Sequence, residues 1–179
     1  MKAIKIFAAA LLMTTAQWCY GQKADNNRGE INAIIARYSK SVINKDSSAF
    51  YSLFIDGPVS WGGALKDSSQ AREVAKKGEN AAGSNYFSST YKGFMRSLFR
   101  FKATEDKFDN VTVVNDGTVA SVMMDYSFWA NSKMTNWGNK YLILIKKDGQ
   151  WKITCVLYSI ELTKYYRQPS LKERLKMRR

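Results

Sequence analysis

The chain has 179 residues, a formal net charge of +13 and no histidine. Without histidine there is no Ser-His or Cys-His nucleophile pair and no histidine zinc site, so any general base must be Asp, Glu, Tyr or Lys. The length favours one domain once any leader is removed.

The first segment reads as a secretory signal. Lys2 and Lys5 precede an apolar run over 6–16 that is too short to span a bilayer, and Cys19-Tyr20-Gly21 supplies small residues for cleavage before Gln22. This predicts a secreted or periplasmic protein with a 1–21 leader, a 22–163 domain and a basic 164–179 tail. Cleavage removes Cys19 and leaves Cys155 in an apolar strand pattern, as an inert thiol without a disulfide partner.

Apolar residues at Ile31, Ile34, Ile35, Tyr38, Val42 and Ile43 have helical spacing and predict a helix over 30–44 with one buried stripe. Asp46 or Ser47 caps a short second helix through Phe50, Leu53 and Phe54, broken by Asp56-Gly57-Pro58. Val59-Ser60-Trp61 is a short strand ending at Gly62-Gly63. Ser68 or Ser69 caps a third helix to about Lys77. Residues 78–90, rich in Gly, Asn, Ala and Ser, read as a loop. Residues 91–102 carry Phe94, Met95, Leu98 and Phe99 at helical spacing, with a strand as the alternative reading.

From there the pattern turns to strands. Phe108 to Val114 ends in the turn Asn115-Asp116-Gly117. Val119 to Ala130, Met134 to Lys146 and Trp151 to Leu162 follow, joined by tight turns at Asn131-Ser132 and Asp148-Gly149. Helices followed by hairpin-linked strands make an α+β domain, with N-terminal helices packed on a strongly bent antiparallel sheet.

With two-residue turns and no bulge, Tyr126 pairs with Trp137, Val122 with Tyr141, and Met124 with Asn139, which pairs in turn with Tyr158. One face then holds Val122, Met124, Tyr126, Phe128, Trp137, Asn139, Tyr141, Val156 and Tyr158. The other holds Asp125, Ser127, Trp129, Gly138, Leu142, Leu144, Trp151, Ile153, Cys155 and Leu157. Both are apolar, so one covers helices and the other lines a cavity or meets a second subunit.

The residues "KDSSAFYSLF", "VSWGG", "KFDNVTVVNDGTVASVMMDYSFW", "WGNKYLILIKKDGQWKI" and "VLYS" resemble the NTF2-like superfamily, over about residues 28–162. That superfamily has a cone-shaped α+β fold and includes SnoaL-like and ketosteroid-isomerase-like proteins; the chain is most similar to its secreted bacterial members. The resemblance implies a cone whose interior binds or transforms a small molecule. It does not choose among enzymes, binding modules and assembly domains.

The preferred function is a non-catalytic module holding a small apolar or aromatic ligand. Candidate ligand residues are Tyr38, Trp61, Tyr126, Trp137, Asn139, Tyr141 and Tyr158, whose rings and polar tips suit a flat molecule. The alternatives are an isomerase- or lyase-type enzyme with Asp125 as base and a tyrosine as donor, or a domain that homodimerises through its sheet. Asp125 is singled out as the one acid inside a predicted central strand, where a bare carboxylate is costly. No metal or cofactor motif is found: Gly62-Gly63 lacks the Lys-Ser/Thr of a phosphate loop. Residues 164–179 carry seven Lys/Arg against one Glu173. Charge concentrated in a tail, without a recognition element, argues against nucleic acid; it predicts a solvated tail able to touch acidic surfaces.

Overall fold

A computed structural model describes residues 26–78 and 83–177. The expected leader and its cleavage site lie outside the described residues. Helix α1 runs over 26–44 and places Ile31, Ile34, Ile35, Tyr38 and Val42 in the core, while Ile43 is left exposed. Helix α2, Ser47–Tyr51, is capped by Asp46, whose carboxylate accepts the Ala49 N–H at 2.9 Å. Helix α3, Asp67–Lys77, begins without the expected serine cap. Ser68 and Ser69 instead donate their hydroxyls to the buried carboxylate of Glu161. Helix α4, Tyr91–Leu98, is capped by Thr90 and buries Met95 and Leu98. Helix α5, Leu171–Met177, lies in the expected tail.

Among the described residues six strands form one sheet: β1, Ser60–Leu65; β2, Tyr86–Ser88; β3, Thr104–Asn115; β4, Val119–Ala130; β5, Lys133–Lys147; and β6, Gln150–Leu162. Their order is β2-β1-β6-β5-β4-β3. The sheet is mixed rather than wholly antiparallel, because β1 runs parallel to β6. Part of the expected 78–90 loop is strand: β2 pairs with β1 across Gly62 and Gly63. A side chain on Gly63 would put its Cβ 2.6 Å from the Phe87 ring and 2.9 Å from Tyr158, so only glycine lets those rings close over β1.

The β4–β5 and β5–β6 turns have both central residues at positive φ, as two-residue hairpins require: Asn131 and Ser132 at 51° and 65°, Asp148 and Gly149 at 50° and 77°. The turns are as read from sequence; the register beyond them is not. Phe128 pairs with Asn136 but Trp129 with Met134, which leaves Thr135 as an extra residue in β5. Ile143 pairs with Cys155 but Leu144 with Ile153, leaving Thr154 extra in β6. Each bulge shifts the pairing by one residue and exchanges the faces beyond it. Tyr126 therefore faces Gly138, Met124 faces Lys140, and Val122 faces Leu142.

The corrected inner face carries Val122, Met124, Tyr126, Leu142, Leu144, Ile153, Val156 and Tyr158 against α1, α2 and α4. Leu142, Leu144, Trp151 and Ile153 thus share a face with Val122, Tyr126 and Val156, from which the unbulged pairing separated them. Phe50 sits at the centre, with Tyr38, Phe54, Trp61 and Phe94 all within 6.4 Å between ring centroids.

Candidate functional site

Where α4, with Phe101 just after it, closes over the inner face, a cavity of about 170 Å³ remains. Its walls are apolar, built from Trp61, Phe94, Phe101, Phe128 and Ile160. Its polar groups come from Asp106, Lys140, Tyr126, Tyr158, Ser97 and Asn136. The innermost feature is an ion pair between Lys140 Nζ on β5 and Asp106 Oδ2 on β3, with both side chains almost fully buried. β4 lies between their strands, with Met124 opposite Lys140 and Phe128 opposite Asp106.

Aromatic rings surround the ammonium. Nζ lies 4.7 Å from the centroid of Tyr126, 5.0 Å from Tyr38, 5.2 Å from Phe108 and 5.6 Å from Tyr158. It also donates weakly to the Tyr38 hydroxyl at 3.4 Å. Ring faces and a carboxylate both favour the charged amine. Burial pushes the Asp106 carboxyl up and the Lys140 ammonium down, and the attraction between them opposes both shifts. Burial, reinforced by the Asp106 charge, raises the hydroxyls of Tyr38 and Tyr126 well above the ordinary tyrosine range, and burial raises Tyr158 as well. These phenols remain protonated donors at neutral pH.

Most of the cavity's polar groups are already committed. The Tyr126 hydroxyl lies 3.0 Å from the Ser159 carbonyl and 3.1 Å from Asn136 Oδ1, so its proton serves one or the other. Ser97 donates to the Phe94 carbonyl at 2.7 Å. Asp106 Oδ1 and the Trp61 indole nitrogen are different: both are buried and have no hydrogen-bond partner among the described residues. A bare carboxylate oxygen in such a place is costly unless something donates to it.

Of the residues expected to hold a ligand, Tyr38, Trp61, Tyr126 and Tyr158 gather at this interior; Tyr38 reaches it through Lys140, and the other three line the cavity. Trp137, Asn139 and Tyr141 lie on the opposite face, carried there by the Thr135 bulge. The Trp137 indole donates to the Tyr166 carbonyl at 3.0 Å and lies under Lys66. Tyr141 is 44 % exposed.

Asp125 is also on that outer face, away from the cavity. It accepts from Asn110 at 2.6 Å, from Asn139 at 2.9 Å and from Arg174 Nε at 2.9 Å. The acid picked out as a possible base is therefore held by amides and a guanidinium outside the cone. Arg174 comes from α5 and also reaches Asp109 at 2.8 Å and the Pro169 carbonyl at 2.8 Å. The tail expected to be solvated is instead pinned to the sheet as far as this residue.

The polar pair of the cavity escaped the sequence reading. Asp106 is the third residue of β3, before the point where the strand was expected to start. The alternation Thr104, Asp106, Phe108 against Glu105, Lys107 in "TEDKF" was the available signal. Lys140 stands in the run "KYLILI" as the single charge, on the side that the bulge turns inward. Among the described residues no group of three His, Cys, Asp or Glu comes together to hold a metal ion, and no helix is long and apolar enough to cross a membrane.

Helices packed on one face of a mixed six-stranded sheet, with a small cavity between them, define a cone-type α+β domain. Solved structures of that architecture are similar to the chain. An NTF2-like protein with a cystatin-like fold from Novosphingobium aromaticivorans aligns with a TM-score of 0.57 at 12 % identity, over 88 % of this chain and 92 % of its own. An NTF2-like protein of unknown function from Pseudomonas putida aligns at 0.56 and 12 % identity, over 82 % and 96 %. A third, from the NTF2-like family of Streptomyces avermitilis and only provisionally described as a dehydratase, aligns at 0.55 and 13 % identity, over 78 % and 99 %. No family profile matches the chain, and no curated protein does. The protein has the NTF2-like fold.

Proposed function

We propose that the protein is a secreted module that binds one small, mainly apolar molecule inside its cone without transforming it. One observation carries this reading: an aromatic-walled cavity of about 170 Å³ ends on a buried Asp106–Lys140 pair. That volume is well below the roughly 300–1,000 Å³ of drug-sized sites, and near the approximately 150 Å³ that suffices for a benzene ring. A domain built only for stability would gain by filling the space with side chains, since unfilled volume costs packing energy. A thermal-shift screen against a metabolite library tests the reading, because a ligand of the native state must raise the melting temperature. Hits that vanish when Ile160→Phe narrows the cavity support it. A flat response, or hits indifferent to that change, would remove it.

A proton-transfer reading attaches to the same place, with Asp106 rather than Asp125 as base and Tyr158 as donor. The observation favouring it is that the buried Asp106 carboxyl, pushed up from its ordinary value by burial, shares one cavity with Tyr158. The provisional dehydratase description of one structural neighbour belongs to that protein, and at 13 % identity it lends the fold alone.

Self-association through the outer face remains part of the proposal. Tyr141, Ile143 and Leu157 are exposed there, and Tyr141 pairs with Leu157 across neighbouring strands. Light scattering of the full chain across concentration checks it.

A further inference from the structure

Accepting that the cone binds a small molecule, the chemistry of its floor narrows the ligand. We infer that the ligand is a neutral single-ring compound whose hydroxyl group donates a hydrogen bond to Asp106 Oδ1. The inference rests on the proposed binding role of this cavity, and on which polar atoms are already committed.

Asp106 divides its carboxylate between two environments. Oδ2 is taken by the Lys140 ammonium, while Oδ1 is buried with no partner although its residue lines the cavity. The floor therefore asks its occupant for a donor. Among the described residues the Ser97 hydroxyl is spent on the Phe94 carbonyl and the Tyr126 hydroxyl on Ser159 or Asn136, while the Trp61 indole N–H in the wall is itself buried without an acceptor and asks the occupant for one. A hydroxyl meets the demand and keeps lone pairs for the adjoining ammonium.

Charge excludes ionised ligands. A carboxylate ligand would set a second negative charge beside Asp106 in a poorly screened interior. An alkylammonium would meet the positive charge of Lys140 in the same way. An ether or a ketone brings acceptors only and leaves Oδ1 bare. The walls are rings of Phe94, Phe101, Phe128 and Trp61, which favour a flat apolar body stacked or edge-on against them. The volume admits one ring and not two fused ones of drug size.

The experiment compares four probes of nearly equal size on the full-length protein by calorimetric titration: phenol, anisole, toluene and benzoate. Phenol should bind about tenfold or more tightly than each of the others, the discrimination expected of one hydrogen bond to a buried charged acceptor. Asp106→Asn then tests the assigned atom. Its amide oxygen must turn to Lys140 and its NH₂ to the cavity, which replaces an acceptor by a donor. The phenol preference should collapse to parity or reverse in favour of anisole.

Equal or tighter binding of toluene, anisole or benzoate by the native protein would overturn the inference while leaving a binding cavity in place. Retention of the full phenol preference in Asp106→Asn would do the same. Failure of all four probes would instead count against the binding role itself, and the inference would fall with it. If Asp106→Asn does not fold, the variant Asp106→Asn/Lys140→Met, which removes both charges together, must lose the phenol preference. The native four-probe comparison stands without either variant.

Discussion

Replacing Arg174 by methionine tests whether the C-terminal segment is a structural part of the domain. Arg174 Nε reaches Asp125 at 2.9 Å, where the acid side chain is 4 % exposed and the arginine 10 %. Hydrogen bonds to buried charged groups contribute about 1.5–3 kcal/mol each. The second contact, to Asp109, adds little, because that carboxylate is 56 % exposed and screened by solvent. Arg174→Met leaves Asp125 its Asn110 and Asn139 amides, so the carboxylate is weakened rather than stranded. The expected loss is about 2–3 kcal/mol, one charge-assisted bond and a small remainder. For a domain of this size that lowers the melting temperature by roughly 4–12 °C. Thermal unfolding followed by circular dichroism at neutral pH measures it. A cycle with Asp125→Asn and the double variant should give a coupling of about 1.5–3 kcal/mol. A melting temperature within about 1 °C of the native protein would refute the reasoning and return the tail to solvent.

Three further outcomes follow from the geometry. Lys140→Met alone strands Asp106 in the core and should cost about 3–5 kcal/mol in chemical denaturation, whereas Lys140→Met/Asp106→Asn should cost clearly less; equal losses would count against a charge-coupled pair. Gly138→Ala should destabilise the fold by about 1–3 kcal/mol or prevent folding, because a Cβ there collides with the Ser159 carbonyl group that β6 presses against β5. Lys164, Lys77 and Tyr165 hold the Glu73 carboxyl down to about 2 from its ordinary 4.5. Its folded value is depressed, so its contribution is complete above pH 4.5 and fades as pH falls towards 2. Glu73→Gln should flatten stability against pH in that acid window, and an unchanged slope would show that the contacts do not form in solution.

The helices and hairpins were legible because their signals are local. Apolar spacing in Ile31, Ile34, Ile35, Tyr38 and Val42 needs only the helical period. Asn131-Ser132 and Asp148-Gly149 announce two-residue turns by residues that accept positive φ. What could not be read are the features set by partners distant in sequence. Thr135 and Thr154 look like ordinary strand residues, and nothing local marks either as the unpaired one. β1 lies parallel to β6 across nearly a hundred residues, which no hairpin rule reaches.

The site followed the same division. Tyr126 and Tyr158 were placed together correctly, since two bulges between β4 and β6 cancel. Trp137, Asn139 and Tyr141, one bulge away, were misplaced. Asp125 stood out because a carboxylate in a central strand demands an explanation; the explanation, Arg174, lay 49 residues downstream. Asp106 passed unnoticed among the charges of "KATEDK", where its burial depends on Lys140 arriving from another strand.

Thr135 behaves as a parity bit for the cone. Were the same sequence to pair without leaving Thr135 out, odd would swap for even along the rest of β5, retiring Lys140 to the exterior and presenting Tyr141 to the interior. The ion pair would disappear although every side chain that makes it was still encoded. Whether the interior is charged or phenolic therefore depends on one unpaired position as much as on which residues β5 carries. Interior residues in such chains are best matched outward from the cavity, since counting inward from the hairpin tip returns the wrong side of the sheet.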